Sequence, residues 1–285
     1  MSNHVFLCWI CGSNLIKRIK HKNVIDVLNP DDLKITDTSY GFSLPRYKCL
    51  SCNFVFCPDA TNFKDPYVDM VDDEYLQNKV SRIIFSENLV QRIDLLAKGN
   101  LRHWLDFGAG AGNLAICAKT LGYELSCVEQ SRFFRLEIQK LGIEVFSELP
   151  DKQYDIITLI DVIEHVSNPI LLIDNLVDRL KSGGLLCIVT PNRKSFVSLL
   201  LRSRWWHIRP AHIGYFAKID VLRILRERNM KEIKAFYPSW YFPYSEIQKK
   251  ISKYFPFFSK ISLSNSDKII TINFRDSIGL IFEKD

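Results

Sequence analysis

Between residues 101 and 190 the chain alternates short apolar runs with stretches whose apolar residues recur every three or four positions. Apolar runs bounded by turn residues read as strands, and the wider spacing reads as helices. The pattern predicts strands over 101–107, 124–129, 143–146, 154–160 and 185–190. Between them it predicts helices over 113–121, 131–141 and 168–181, the last capped by Asn168, opened by Pro169 and ended at Gly183. Strands 154–160 and 185–190 are apolar throughout, which marks burial on both faces and parallel crossovers through the helices. A last helix over 220–229 is followed by strand-like 233–237, 268–274 and 277–282. The fold class is α/β, with a doubly wound sheet.

Before this region the periodicity differs. Residues 72–98 carry apolar positions at three- and four-residue steps, which predicts one or two linking helices opened by Asp72, Asp73 and Glu74, where a helix start favours negative charge. Residues 1–60 have only short β-rich patches (24–28, 33–36 and 46–49) between turn residues. The expected organisation is a small module at 1–60, linking helices at 61–98, and an α/β domain at 99–285 with a basic, aromatic insertion at about 191–262.

At 285 residues, 47% hydrophobic and 25% charged, the composition excludes a disordered or low-complexity chain. No run of 18 apolar residues is present, and residues 1–10 lack the basic start and apolar centre of a signal peptide, so the expected location is the cytoplasm. Eight cysteines would be an odd load of disulfides there. Four of them form two C-x-x-C pairs, Cys8 with Cys11 and Cys49 with Cys52, followed by Gly12 and Asn53. The residue after each pair often needs a positive φ, which glycine and asparagine tolerate best. Four thiolates suit a closed, structural tetrahedral zinc site, with reduced free thiols as the alternative, and Cys57 reads as a buried spare.

The net charge of +6 is unevenly spread: +2 over 1–60, −2 over 61–100, −4 over 101–190 and +10 over 191–285. Such polarity suggests that the last third meets an anion, although a solvated basic face would look the same. Residues 247–258 could form an amphipathic helix that either touches a membrane surface or packs over an acceptor pocket. Trp205, Trp206, Trp240, Tyr241, Phe242 and Tyr244 are expected on the acceptor side.

The strand ending at Phe107 runs into Gly108-Ala109-Gly110-Ala111-Gly112 and then a helix, so a ligand can approach the backbone and meet free N–H groups at the helix start. The pattern is G-x-G-x-G, with Asn113 where a dinucleotide fingerprint needs glycine, and Asp106 before it would meet a cationic ammonium better than a pyrophosphate. Glu129 ends the next strand 21 residues after Gly108, where a carboxylate can accept both hydroxyls of a ribose.

LDFGAGAGNLA (105–115), CVEQS (127–131), YDIITLIDVIEHVSNP (154–169) and LKSGGLLCIVTPN (180–192) together resemble the class I S-adenosylmethionine-dependent methyltransferases, over about residues 98–285. The resemblance implies a Rossmann-like, seven-stranded sheet and S-adenosylmethionine as cofactor. It implies that Asp106, Phe107, Gly108, Ala109 and Gly110 hold the methionine part, that Glu129 with Gln130 holds the ribose, that Ser147, Glu148 and Leu149 border the adenine, and that Asp161 belongs to the same pocket. Asp161-Val-Ile-Glu-His165 resembles the D-x-x-E-H stretch of quinone and small-molecule O-methyltransferases; in a helical turn its three polar residues would share a face. His165 is then a base, a ligand in a metal-assisted step, or a structural hydrogen-bonder. Pro210-Ala-His212-Ile-Gly-Tyr-Phe216 resembles the P-x-H-x-x-x-F segment of that group, which makes His212 the first choice for general base. Arg202, Arg204 and Arg209 are the nearest candidates in sequence to hold an acceptor phosphate. Zinc-ribbon modules also precede the methyltransferase domain in some enzymes that modify nucleotide-linked sugars and surface glycans. The expected function is therefore methylation, at oxygen, of an anionic or lipid-linked sugar or related small molecule in polysaccharide biosynthesis. RNA methylation through the ribbon and basic region is one alternative, and a non-catalytic zinc-ribbon binding protein is the other.

Overall fold

The computed structural model describes residues 6–62, 67–77, 79–99, 101–244, 247 and 268–285. The amphipathic helix expected over 247–258 lies outside the described residues, apart from Ile247.

The N-terminal part forms β1 (Ile16–Arg18), β2 (Tyr47–Cys49) and β3 (Val55–Phe56) around the two cysteine pairs. Two of the expected β patches are different. Val24 makes only an isolated bridge to Ser43, and 33–36 follows a 3-10 turn at Pro30–Leu33. Proline opens that turn, and the Asp32 carboxylate accepts the Asn29 N–H, which favours a capped turn over a strand. The linking region forms α1 (Asp73–Gln77) and α2 (Lys79–Asp94).

The α/β region continues with β4 (His103–Phe107), α3 (Asn113–Thr120), β5 (Glu124–Val128), α4 (Arg132–Lys140), β6 (Glu144–Phe146), β7 (Tyr154–Ile160), α5 (Pro169–Asp178), β8 (Leu180–Pro191), α6 (Phe196–Leu201), β9 (Gly214–Tyr215), α7 (Lys218–Leu225), β10 (Met230–Phe236), β11 (Trp240–Pro243), β12 (Ile269–Ile272) and β13 (Ser277–Lys284). The central sheet has seven strands in the order β10-β13-β8-β7-β4-β5-β6, with β13 antiparallel to both its neighbours. Successive residues of β7 explain the two buried faces. Ile156 packs with Trp104, Cys187 and Val189 under α2 and α3, while Ile157 and Leu159 pack with Leu186 and Leu280 under α5 and α7.

Three boundaries differ from the sequence pattern. Asn168 does cap α5, accepting the Leu171 N–H, but the helix stops at Asp178, and Gly183 lies within β8 as part of a bulge that shifts register between Tyr154 and Ile156. The insertion expected over 191–262 is interrupted, because α7 packs on the core and β10 is an edge strand of the central sheet. Segment 268–274 does not join that sheet; β12 pairs with β11 in a separate ribbon.

The N-terminal strands are not a free-standing module. They form one sheet in the order β1-β2-β3-β9, so the cysteine-bearing strands are hydrogen-bonded to the segment that follows His212. The Cys57 N–H donates to the Ile213 carbonyl, and the buried Cys57 thiol points to the Leu44 carbonyl.

Candidate active site

The carboxyl ends of the central strands meet the loop between β4 and α3. Gly108 has φ +76°, and a Cβ there would collide with Val162; Gly110 has φ +53°, with the Tyr75 hydroxyl 2.8 Å from where its Cβ would stand. Both positions therefore require glycine for shape as well as for backbone conformation. Glu129 holds the loop in place. One carboxylate oxygen accepts the Gly110 N–H at 2.8 Å and the other the Ser131 N–H at 2.8 Å. Each oxygen retains a lone pair for a further donor such as a hydroxyl. Asp106 is buried beneath the loop and accepts from the Thr158 hydroxyl at 2.8 Å.

Opposite the loop, Asp161 lies at the end of β7 with φ +52°, a conformation that a non-glycine residue adopts at a cost and that marks functional turns. Its Oδ1 is buried without a partner. The turn from Asp161 is not helical: a 3-10 turn begins only at Ile163, so Asp161, Glu164 and His165 do not share a helical face. That turn instead zips onto the segment containing His212. The Ile213 N–H donates to the Glu164 carbonyl, and His165 Nδ1 lies 2.9 Å from the Ala211 carbonyl and 2.8 Å from the Tyr67 hydroxyl. As a result the His165 and His212 rings meet edge to face with centroids 4.8 Å apart. His207 stacks on His212 at 5.8 Å and pairs with the buried Asp276 carboxylate at 3.3 Å. Donor atoms of Glu164, His165 and His212 lie within 4.8 Å of one another, close enough to share a small cation.

The electrostatics of the two sides differ. Burial pushes the Asp106 carboxyl up to about 7, against the hydrogen bond from Thr158. It pushes Asp161 up to about 6, against the charges of His207 and Arg82. Glu164 is raised further, by burial and by Asp161. Burial lowers His165 to about 3 and His212 well below the usual imidazole range, so both rings are neutral at neutral pH. A pocket ringed by buried carboxyls with raised pKa values suits a cationic ligand.

A family profile described as a methyltransferase domain matches residues 75–234, which span the loop, Glu129, Asp161 and both histidines. The chain belongs to this methyltransferase domain family. A ubiquinone biosynthesis O-methyltransferase from Rickettsia prowazekii (strain Madrid E) is 32% identical over 151 residues, 46% of this chain; the chain spans 60% of that relative's length. Two solved structures share the fold: a SAM-dependent methyltransferase from Archaeoglobus fulgidus (18% identity, TM-score 0.52, 75% of this chain and 100% of that one) and magnesium protoporphyrin IX methyltransferase from Synechocystis PCC 6803 with bound SAH (15%, 0.51, 75% and 89%).

Within the methyltransferase domain the sequence-derived residues fall into three groups. Asp106, Phe107, Gly108, Ala109, Gly110, Glu129 and Asp161 line one end of the sheet, with Gln130 exposed just beyond Glu129. Ser147 and Glu148 are exposed at the end of β6, and Leu149 packs partly into the core. His165 and His212 meet directly. The aromatic residues divide: Trp205 is a core residue bonded to Asp276, and Trp240 stacks on Phe85 of α2, so neither presents a free face at the histidines. Arg209 is also consumed, donating to the Lys34 and Ile35 carbonyls.

Tyr67, Tyr75 and Arg82 were not legible from the sequence pattern. Arg82 lies 3.6 Å over the Tyr75 ring, and both come from the helices before the sheet, where no motif marks them. The one available signal was the run of acidic and aromatic residues at 67–75 ahead of the glycine loop.

Two predictions follow from this geometry. Glu129→Ala removes a ribose acceptor and the clamp on Gly110 together, and should weaken S-adenosylhomocysteine binding by about 1.5–3 kcal/mol in calorimetry; unchanged affinity would place the ligand elsewhere. Asp106 binds its proton more tightly folded than unfolded, so its own contribution to stability without ligand, read as the difference between wild type and Asp106→Asn, should fall as pH rises from about 4 to about 7. A cationic ligand favours the ionised carboxylate, so binding should release protons and tighten over the upper part of that range. Titrations in buffers of different ionisation enthalpy measure this release, and Asp106→Asn should reduce it, leaving the smaller release from Asp161.

Proposed function

We propose that this chain is an S-adenosylmethionine-dependent methyltransferase acting on an oxygen atom of an anionic small molecule, a sugar or lipid-linked sugar of polysaccharide biosynthesis fitting best. The observation that carries the proposal is the Gly108–Gly110 cradle, tied to Glu129 and facing buried Asp106 and Asp161 across the end of the sheet. The cradle fits the donor: glycines leave room where a Cβ would intrude, Glu129 keeps acceptor capacity for hydroxyls, and Asp106 and Asp161 complement positive charge. The oxygen acceptor is supported by the relative whose name is an O-methyltransferase.

S-adenosylmethionine, when bound, supplies an already activated methyl on a sulfonium. The chain's residues then have to align the acceptor and take its proton. His212 is the proposed base. It is buried and neutral, which is the state a base must start from, and a Glu164 carboxyl oxygen lies within 4.8 Å of one of its ring nitrogens. His165 is a positioning residue that holds the Ala211 carbonyl and the Tyr67 hydroxyl.

The cysteine cluster is proposed to hold one structural zinc. Sγ separations of 3.5 Å for Cys8 with Cys52 and 3.6 Å for Cys11 with Cys49 are far beyond a disulfide. They approach the separation of about 3.8 Å expected around a tetrahedral ion with Zn–S near 2.3 Å. Gly12 (φ +67°) and Asn53 (φ +65°) shape the two knuckles. Burial opposes ionisation at Cys49, but hydrogen bonds from the Cys52 and Ser51 backbone outweigh it and bring the thiol to about 7, whereas burial pushes Cys52 up to about 11 and Cys8 higher still, so a bound metal would have to displace those protons.

Extracts of cells lacking the gene should contain the unmethylated acceptor. Incubating them with the protein and methyl-labelled donor, followed by mass spectrometry, should reveal one labelled product. His212→Ala should slow its formation by about 100- to 10,000-fold with donor affinity retained; full turnover would remove His212 as base. Metal analysis should find one zinc per chain, and chelation should raise amide exchange in β1–β3 and, through β3, at Gly214–Tyr215, while the Gly108–Gly112 loop stays protected. Protein free of zinc with native exchange at Gly214–Tyr215 would reject the structural role.

A further inference from the structure

Arg46, just before β2, is only 8% exposed; its Nε is buried without a hydrogen-bond partner, and its guanidinium forms no ion pair among the described residues. A buried cation is normally paired, because desolvating an unpaired charge is strongly unfavourable. Arg46 is surrounded by other polar groups in the same condition. Its guanidinium lies 5.7 Å from the centre of the Tyr215 ring on β9. Among the described residues, the Tyr215 hydroxyl, the Ser43 hydroxyl and both ring nitrogens of His21 are buried with no well-aligned hydrogen bond, although Ser43 stands beside the Tyr215 phenol and the Leu44 backbone beside the His21 ring. The charges acting on His21 are those of Arg46 and Arg18, and Tyr215 is influenced by Cys57 and Arg46. Among the described residues, no carboxylate is among the charges acting on either group. Polar groups therefore converge from β9, the approach to β2 and the loops before it, and among the described residues no carboxylate pairs with the Arg46 charge.

Groups of this kind need an explanation, and a missing anion is the simplest one. We propose that Arg46, Ser43, Tyr215 and His21 form a binding site for a phosphoryl group, and that this group belongs to the methyl acceptor. The second part rests on the proposed methyltransferase reading. Arginine presents a planar fork of donors that matches a phosphoryl oxyanion, and the two hydroxyls add neutral donors. Location ties the site to the chemistry. Tyr215 is three residues after His212, a span of at most about 10 Å even when extended. That distance lets a phosphorylated sugar hold its phosphoryl group at Arg46 while a ring hydroxyl reaches His212. The sequence had pointed to Arg202, Arg204 and Arg209, but Arg209 is already bonded to backbone carbonyls, and Arg202 and Arg204 lie in an exposed turn.

The test uses the full, metal-replete chain and inorganic phosphate, followed by phosphorus NMR line broadening and calorimetry. Wild-type protein should bind one phosphate. Arg46→Met, which keeps the apolar stem and removes the charge, should weaken it at least about tenfold; Tyr215→Phe should weaken it severalfold, and exposed Lys194→Met should leave it unchanged. Zinc content and S-adenosylhomocysteine affinity report whether each variant is folded. Should Arg46→Met lose zinc, Tyr215→Phe decides alone, since it removes one hydroxyl and no packing atoms. Absence of phosphate binding, equal binding by folded Arg46→Met, or tighter binding of glucuronate than of phosphate would each overturn the assignment. Phosphate binding in a protein that fails to bind S-adenosylhomocysteine would uphold the anion site and sink the methyltransferase reading separately.

Discussion

Burying a carboxyl group raises its pKa, and at the end of the central sheet burial raises four, Asp106, Glu129, Asp161 and Glu164, with nearby arginines offsetting this only in part at the last three. Only Glu129 is well supplied with donors, from the Gly110 and Ser131 backbone. The remaining unfavourable desolvation is tolerable in a folded chain if a cationic ligand offsets it part of the time. The donor side is thus defined by missing positive charge. Glu129 links this to shape, because the same carboxylate that can meet a hydroxyl also fixes the loop whose glycines clear Val162 and Tyr75.

The acceptor side shows the opposite deficit. Among the described residues Arg46 has no ion-paired carboxylate, and the charges acting on His21 are those of Arg46 and Arg18. The charge asymmetry along the chain, −4 over 101–190 and +10 over 191–285, foreshadows this division but misplaces it. The decisive cation comes from the N-terminal strands, through a sheet that joins β3 to β9. Tertiary pairing of residues about 160 positions apart in the chain cannot be read from local periodicity, whereas the parallel sheet could be, because continuous apolar runs leave few alternatives.

The same contrast explains what was legible in the site. The Gly108–Gly112 loop, Glu129 and the knuckle residues Gly12 and Asn53 were readable because each needs a residue type that few conformations accept. The contact between His165 and His212 was not, since it depends on the turn after β7 docking against a segment 46 residues later through the Ile213–Glu164 and His165–Ala211 hydrogen bonds. Gly183 reads as a helix end in the sequence because a bulge inside a strand uses the same residue type as a C-cap.

The cysteine knuckles then have a role beyond holding their own strands. The segment from Pro210 to Phe216 carries both the proposed base and Tyr215, and it has little regular structure of its own: two residues of strand and a few hydrogen bonds to the turn at Glu164. Such a segment would be mobile unless clamped from outside. It is clamped on one side by the Asp161–His165 turn, which belongs to the donor site, and on the other by β3, which belongs to the cysteine-bearing sheet. A metal at the knuckles would stiffen β2 and β3, and through them set the distance between the group that holds the acceptor's charge and the imidazole that takes its proton. With His212 as the proposed base, that distance would decide which hydroxyl of the proposed acceptor is methylated, because the hydroxyl must lie in line with the methyl and within hydrogen-bond reach of the imidazole that takes its proton as the methyl moves.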